Sequence, residues 1–415
     1  MALAVVGLRW SFMKTIFRMV LALTVVAPAL GQNWVLTSAP STNWSCVASS
    51  ADGNKLVAAV NGGLIYTSTN SGVAWMPTTA PSNAWASVAC SADGSKVIAA
   101  ASYDYGDEEI YRSADSGSSW ELTGAPSTYW RSVASSADGI HLAAAGEDTS
   151  VSTNSGAIWT YLDPGGIPTF VLFPLVSSSA DGRIVSIVET GFGGQDSQIY
   201  TLPSSAWKPL GKSPSFRGHC SSVAMSADGT GIAATINNAD AFEAGLTNCA
   251  GILFTSSSLG ATQITNCTSV SNWTSVATSS DGIRLASVAS SGEIYTSTNG
   301  GVTWAPNIVT NASWSSVASS ADGAKLVAVA NGGGIYTWQT TPTPTLNINR
   351  TGEDLQISWL IPSMSFALQE NADLGSTNWT EVASAPILNL TNLQNQVTLS
   401  PPSHPTFYRL SSGAP

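Results

Sequence analysis

The stretch Trp44–Val60, WSCVASSADGNKLVAAV, decides the fold because the chain repeats it. It returns as WASVACSADGSKVIAAA from Trp85, as WRSVASSADGIHLAAAG from Trp130 and as WSSVASSADGAKLVAVA from Trp314. A pass outward finds seven copies, marked by Asp-Gly pairs at Asp52, Asp93, Asp138, Asp181, Asp228, Asp281 and Asp322. Their spacings are 41, 45, 43, 47, 53 and 41 residues. A period of this size means one supersecondary unit stacked many times, since a single unit cannot bury both its faces.

Each unit reads as four strands. The first, W-x-S-V-A-S-S, is rich in small residues, and the Asp-Gly pair after it closes a tight hairpin in which glycine accepts positive φ. A second strand of the type K-L-V-A-A, a Gly-rich turn, a third strand I-Y-T-S and a short fourth strand follow. Four antiparallel strands in about 40–50 residues make one propeller blade, with the small-residue strand innermost. The expected fold is therefore all-β, a seven-bladed β-propeller over residues 32–339. The last copy ends at Ile335–Trp338 and runs into TTPTPT without a fourth strand. Asn33–Ser41 matches Trp75–Ser82 in type and position, so the N-terminal strand is expected to complete the last blade and remove its exposed edges. Trp44, Trp85, Trp130, Trp273 and Trp314 recur once per blade. They would either pack between blades, the plainer reading, or form a ring of sugar-stacking platforms.

The turn between strands three and four carries a second motif, in four good copies. They are Ser68-x-Asn70-x-Gly72-x-x-Trp75, Ser113-x-Asp115-x-Gly117-x-x-Trp120, Ser152-x-Asn154-x-Gly156-x-x-Trp159 and Ser297-x-Asn299-x-Gly301-x-x-Trp304. This resembles the Asp-box, or BNR repeat, of the propellers of sialidases, sortilin-like receptors, xyloglucanase-type glycosidases and photosystem II assembly factors. The resemblance implies a structural hairpin at these residues and names no activity, because function belongs to sites rather than folds. Blade four keeps only Trp207, and blade five lacks the motif.

The formal net charge is −11, and residues 1–31 hold Arg9, Lys14 and Arg18 without an acid, so the remainder is more acidic still. Such a surface repels phosphate backbones, and nucleic acid is not an expected partner. Lys14 and Arg18, the apolar run Met19–Ala27 and the small residues Ala29-Leu30-Gly31 read as a secretory signal over residues 1–31, with Met13 the better start. The apolar run is too short to span a bilayer. The chain is expected to be secreted or periplasmic, monomeric and without a transmembrane segment. Of Cys46, Cys90, Cys220, Cys249 and Cys267, the pair Cys249–Cys267 is the preferred disulfide, with Cys220 as a competitor for it; spacing alone does not fix connectivity. No Cys/His cluster suggests zinc.

Strand direction sorts the loops onto two ends. Asp-Gly turns and Asp-boxes fall on one end and vary little. The insertions fall on the other: Tyr103–Glu109, Thr190–Gln198 and Asn237–Ala250. The candidate binding residues are Tyr103, Asp104, Tyr105, Asp107, Glu109, Arg131, Phe192, Asp196, Arg217, Asp240, Phe242 and Glu243, a mixture of aromatics and charges suited to a glycan or a protein. The acidic run 104–109 offers oxygens for Ca²⁺ but lacks the spacing of a known calcium loop, and a solvated loop is the commoner reading. No other cofactor is expected.

No catalytic residue is assigned. The sialidase resemblance implies three arginines clamping a carboxylate, but the propeller has only Arg112, Arg131, Arg183, Arg217 and Arg284. Arg284 occupies the position of Lys55, Lys96 and Lys325 and reads as a solvated turn residue. Two facing carboxylates of a glycosidase remain open as the alternative. After a Pro/Thr linker at 340–346, residues 347–415 alternate like a small β-sandwich. Its Phe407-Tyr408-Arg409-Leu410 ending resembles C-terminal modules of secreted bacterial proteins. The function expected is non-catalytic binding or scaffolding outside the cell; the alternative is a glycoside hydrolase of sialidase or xyloglucanase type.

Overall fold

A computed structural model describes residues 3–5, 21–23, 33–102, 108–146, 149–162, 172–183, 185–190, 196–201, 208–209, 216–240, 249–258, 261–307, 309, 312–340, 345–361, 366–402 and 406–412. The segment expected from the sequence to be a secretory signal, residues 1–31, therefore lies mostly outside the described residues; within it, Leu3–Val5 and Leu21–Leu23 pair as two short antiparallel strands.

From Trp34 to Gln339 the chain is all-β and propeller-like. Thr42–Ser49, Leu56–Gly63, Ile65–Ser68 and Met76–Pro77 form an antiparallel four-stranded unit. The same arrangement recurs with Ser132–Ser135, Leu142–Ala145, Thr149–Ser152 and Thr160–Tyr161, and again with Trp273–Thr278, Leu285–Ala289, Ile294–Ser297 and Ala305–Asn307. At the end of the array, Val35 and Leu36 pair with Thr337 and Tyr336 on the strand Ile335–Gln339, so a residue pair from the start of the chain completes the last unit. Trp34 packs with its ring 6.4 Å from those of Trp314 and Trp338, much as Trp75 sits 6.5 Å from Trp44 in the first unit.

The units close around an axis. The amide of Ala51 donates to the carbonyl of Ala92, Ala92 to Ala137, Ala137 to Ala180, Ala180 to Ala227, Ala227 to Ser280, Ser280 to Ala321, and Ala321 back to Ala51. These bonds are 2.6–2.8 Å long and form a circuit of seven peptide groups. Each contributor immediately precedes the Asp of an Asp-Gly turn, and each is a small residue, alanine or serine. Between units the core is aliphatic and aromatic: Trp44 joins Leu56, Ala58 and Val60 of its own unit to Val327, Val329 and Ile335 of the last. Trp44, Trp85, Trp130, Trp273 and Trp314 are all at most 1 % exposed, so they are packing residues with no face left for a sugar. Each such burial contributes about 2–3 kcal/mol.

Beyond residue 345, two further sheets share one core. Asn347–Thr351, Asp354–Leu360, Ile387–Asn389 and Gln394–Leu399 form one, and Phe366–Asn371, Thr380–Glu381 and Phe407–Ser412 the other. Ile357, Trp359, Leu368, Val397, Tyr408 and Leu410 are buried between them. Leu393, at φ +53° in the turn before Gln394, packs on the alanines of the axial circuit, Ala92, Ala137, Ala180 and Ala227.

Candidate functional site

The chemistry of the Asp-Gly end is spent on structure. Ser50 Oγ donates to Asp52 Oδ1 at 2.6 Å, the Asn54 amide donates to the same oxygen at 2.9 Å, and the Lys55 amide donates to Ser50 Oγ at 3.0 Å. The Ser-to-Asp bond and the amide that backs it recur at Asp93, Asp138, Asp181, Asp228, Asp281 and Asp322. Partial burial pushes the carboxyls of Asp93, Asp138 and Asp228 upward, but the serine hydroxyl and turn-amide bonds together outweigh it and leave them below the usual carboxylate range. In the second turn, Ser68 Oγ donates to Asn70 Oδ1 and accepts from the Gly72 amide, and Asn70 Oδ1 accepts from the Ala74 amide. Asp115 in the equivalent place is held at about 2 by the Ser119 hydroxyl and amide.

At five of the junctions the residue three places after the turn Asp, Lys55, Lys96, His141, Arg284 or Lys325, reaches sideways to the next unit. Lys325 Nζ donates to Asn54 Oδ1 at 2.7 Å, Ser71 Oγ at 3.1 Å and the Asp52 carbonyl at 3.3 Å. Lys55 Nζ reaches Ser116 Oγ, and Lys96 Nζ the Asp138 carbonyl. Their stems lie across the glycine of the neighbouring turn. A Cβ on Gly94 (φ +64°) would stand 2.8 Å from Lys55 Cβ. Arg284 belongs to this set. It is half-buried, with its Cβ 2.7 Å from where a Cβ on Gly323 would be, so it is an inter-unit latch rather than the solvated turn residue expected. The sequence hid this role because a lone Lys or Arg after a turn looks like surface.

At the opposite end, Tyr103, Asp104, Tyr105, Asp107, Phe192, Phe242 and Glu243 lie outside the described residues. Backbone register brings three other candidates together: Arg217 stands opposite Asp196 on one side and Asp240 on the other. Arg131 is exposed. Partial desolvation of His219, and after it the positive charge of Arg131, lowers the His219 pKa, an influence that runs from unit three to unit five. Glu109 accepts a hydrogen bond from the Tyr111 hydroxyl, and its carbonyl takes the Ala101 amide, so the insertion is anchored at its base. The equivalent Glu293 was not singled out from the sequence, although Glu-Ile-Tyr at 109–111 and 293–295 marks both places. Its Oε2 is buried with no hydrogen-bond partner among the described residues. Cys249 and Cys267 form a disulfide with Cα atoms 5.3 Å apart, tying the end of the 237–250 insertion to the strand Thr262–Thr268. Arg112 is committed elsewhere, to Glu121 at 2.8 Å and to the Ser155 carbonyl, and Arg183 lies 3.5 Å from Asp181. No cluster of three or more metal-ligating side chains occurs among the described residues, and none of their helices is long and apolar enough to cross a membrane.

No protein-family model and no curated protein matches the chain. Solved structures do match in fold. A structure described as YCF48 bound to D1 peptide has a TM-score of 0.53 and 15% identity over 76% of this chain and 99% of its own. YCF48 from Cyanidioschyzon merolae has a TM-score of 0.54 and 17% identity over 74% and 98%. The GH74 xyloglucanase from Xanthomonas campestris has a TM-score of 0.57 and 15% identity over 79% of this chain, which spans 59% of that enzyme. The likeness is that of a distant β-propeller fold, shared by a glycoside hydrolase and by proteins not described as enzymes.

Proposed function

We propose that the chain is a secreted seven-bladed propeller of the Asp-box type, carrying a C-terminal β-sandwich, that binds a glycan or protein outside the cell. Binding falls to the insertion-bearing end. One observation carries this reading. The Asp-Gly end spends its serines, acids and most of its cations on Ser–Asp turns and latches, whereas backbone register brings Asp196, Arg217 and Asp240 together at the other end, where no repeat rule demands them. A rigid ring with variable loops at one end is the usual layout of a recognition surface. A propeller described as bound to a peptide stands among the structural neighbours, which is in keeping with a peptide ligand.

A glycoside hydrolase is the second reading, favoured by the likeness to the xyloglucanase. It requires two carboxylates about 5–10 Å apart across a cleft. A sialidase is disfavoured, because Arg112, Arg183 and Arg284 lie at the Asp-Gly end and cannot join Arg131 and Arg217 in a three-arginine carboxylate clamp. A glycan array that scores both retention and cleavage tests the proposal. Retention without cleavage supports it, cleavage replaces it with the hydrolase, and silence on both leaves a protein ligand to be sought.

A further inference from the structure

A second site lies away from this surface, at the junction of the fifth and sixth units on the Asp-Gly end. At the corresponding place between units one and two, the Lys55 stem leaves a cavity of about 10 Å³. Between the last unit and the first, Lys325 leaves about 20 Å³. Between units five and six the latch position is Gly231, and the cavity is about 240 Å³. Gly231 sits in the chain as the lysines do: its amide donates to Ser226 Oγ at 2.7 Å, as the Lys55 amide does to Ser50 Oγ at 3.0 Å. The turn it should cover is intact. A Cβ on Gly282 would meet only Ser226 Cβ and the Gly231 Cα, where Gly94 meets a lysine stem.

The walls match what a latch side chain needs. Ile232, Ala233, Ile264 and Leu285 offer apolar surface to a stem, and Asp281 is the one charged residue of the lining. Asp281 Oδ1 takes the Ser279 hydroxyl and the Ile283 amide, but Oδ2 has no hydrogen bond among the described residues. In the turn at Asp52, the equivalent oxygen is taken by Asn54 Nδ2. Five other junctions place Lys55, Lys96, His141, Arg284 or Lys325 here. The fifth unit also lacks the Ser-x-Asn/Asp-x-Gly motif, and the buried Ser256 hydroxyl, in the place of Ser68, has no partner among the described residues.

We propose that this junction binds the latch in trans: an alkylguanidinium or alkylammonium group, free or at the tip of a partner's Arg or Lys side chain. The stem lies between Ile232 and Leu285, and the cationic head meets the Asp281 carboxylate and carbonyl.

The test is thermal melting and calorimetric titration of the purified protein with n-butylguanidinium, against the neutral isostere butylurea. The expected result is a rise in Tm of about 2 °C or more at a hundredfold excess over Kd for the cation, and none for the urea. Gly231→Lys should melt higher than the parent and bind n-butylguanidinium at least tenfold more weakly. Gly231→Met, which fills the cavity without charge, should also lose binding and carries the comparison if the lysine variant does not fold. Gly231→Ala should bind as the parent does. Equal response to the two probes, no response in the parent, or binding that survives the filling variants would each overturn the proposal.

Discussion

The Ser–Asp pair shows at single-residue scale how this chain uses charge. Each turn carboxylate satisfies two donors that the hairpin would otherwise leave unpaired. For Asp93, Asp138 and Asp228 the folded pKa lies below the unfolded value near 3.9. Their contribution is thus fully present above about pH 4 and is lost as pH falls through the folded value. Urea midpoints should drop below pH 4. Asp228→Asn should lose about 1–2 kcal/mol at pH 7 and show a shallower acid slope than the parent. The same scale gives a reactivity prediction. Burial pushes the thiols of Cys46 and Cys220 up to about 12, so at pH 8 iodoacetamide should leave both unmodified until urea unfolds the chain. These turns could be read from the sequence because their chemistry is local: Ser, Asp and Gly within four residues specify the hairpin. The latch could not, because its meaning lies in the neighbouring unit.

Between elements, the glycines of the Asp-Gly turns do two jobs, and only one is visible in sequence. Positive φ at Gly94 is what an Asp-Gly pair announces. That the same atom is the floor under the Lys55 stem emerges only when units are stacked. Gly94→Ala should therefore cost about 2–3 kcal/mol, from backbone strain plus displacement of the lysine stem. Gly282→Ala should cost only the strain, because its Cβ would meet open contacts. Comparing the two urea midpoints separates the terms; equal losses would mean the latch contributes nothing. The binding end was less legible for a related reason. Repeat logic marks insertions by where periodicity fails, which located the loops around 103–109, 190–198 and 237–250, but it carries no register. The pairing of Arg217 between Asp196 and Asp240 depends on strands from two units meeting, and Glu293 hid inside a regular copy.

At the scale of the whole molecule, stability depends on closing the ring rather than on any one sheet. A closed array has no terminal unit with an unpaired edge, and here the N-terminal strand's share of the closure rests on very few residues. Val35 and Leu36 supply the backbone pairing and Trp34 packs against Trp314 and Trp338. The Thr37 amide adds a bond to the Ile335 carbonyl. Both Val35 and Leu36 are more than half exposed, so their side chains add little, and the aromatic contact and edge pairing hold the junction. Removing residues 32–40 would bare the strand Ile335–Gln339 as an edge and expose Trp338, in the last unit and beside the first. The axial circuit would keep its seventh bond, Ala321 to Ala51, so the ring should open at its rim before its centre. The deleted protein should then melt well below the parent and aggregate as it does so. A milder variant, Trp34→Ala, should lose about 3–4 kcal/mol while staying soluble. If the deletion melted like the parent, closure would have to come from the axial bonds, the Lys325 latch and the packing of Trp44 on the last unit, and the N-terminal strand would be ornament rather than clasp.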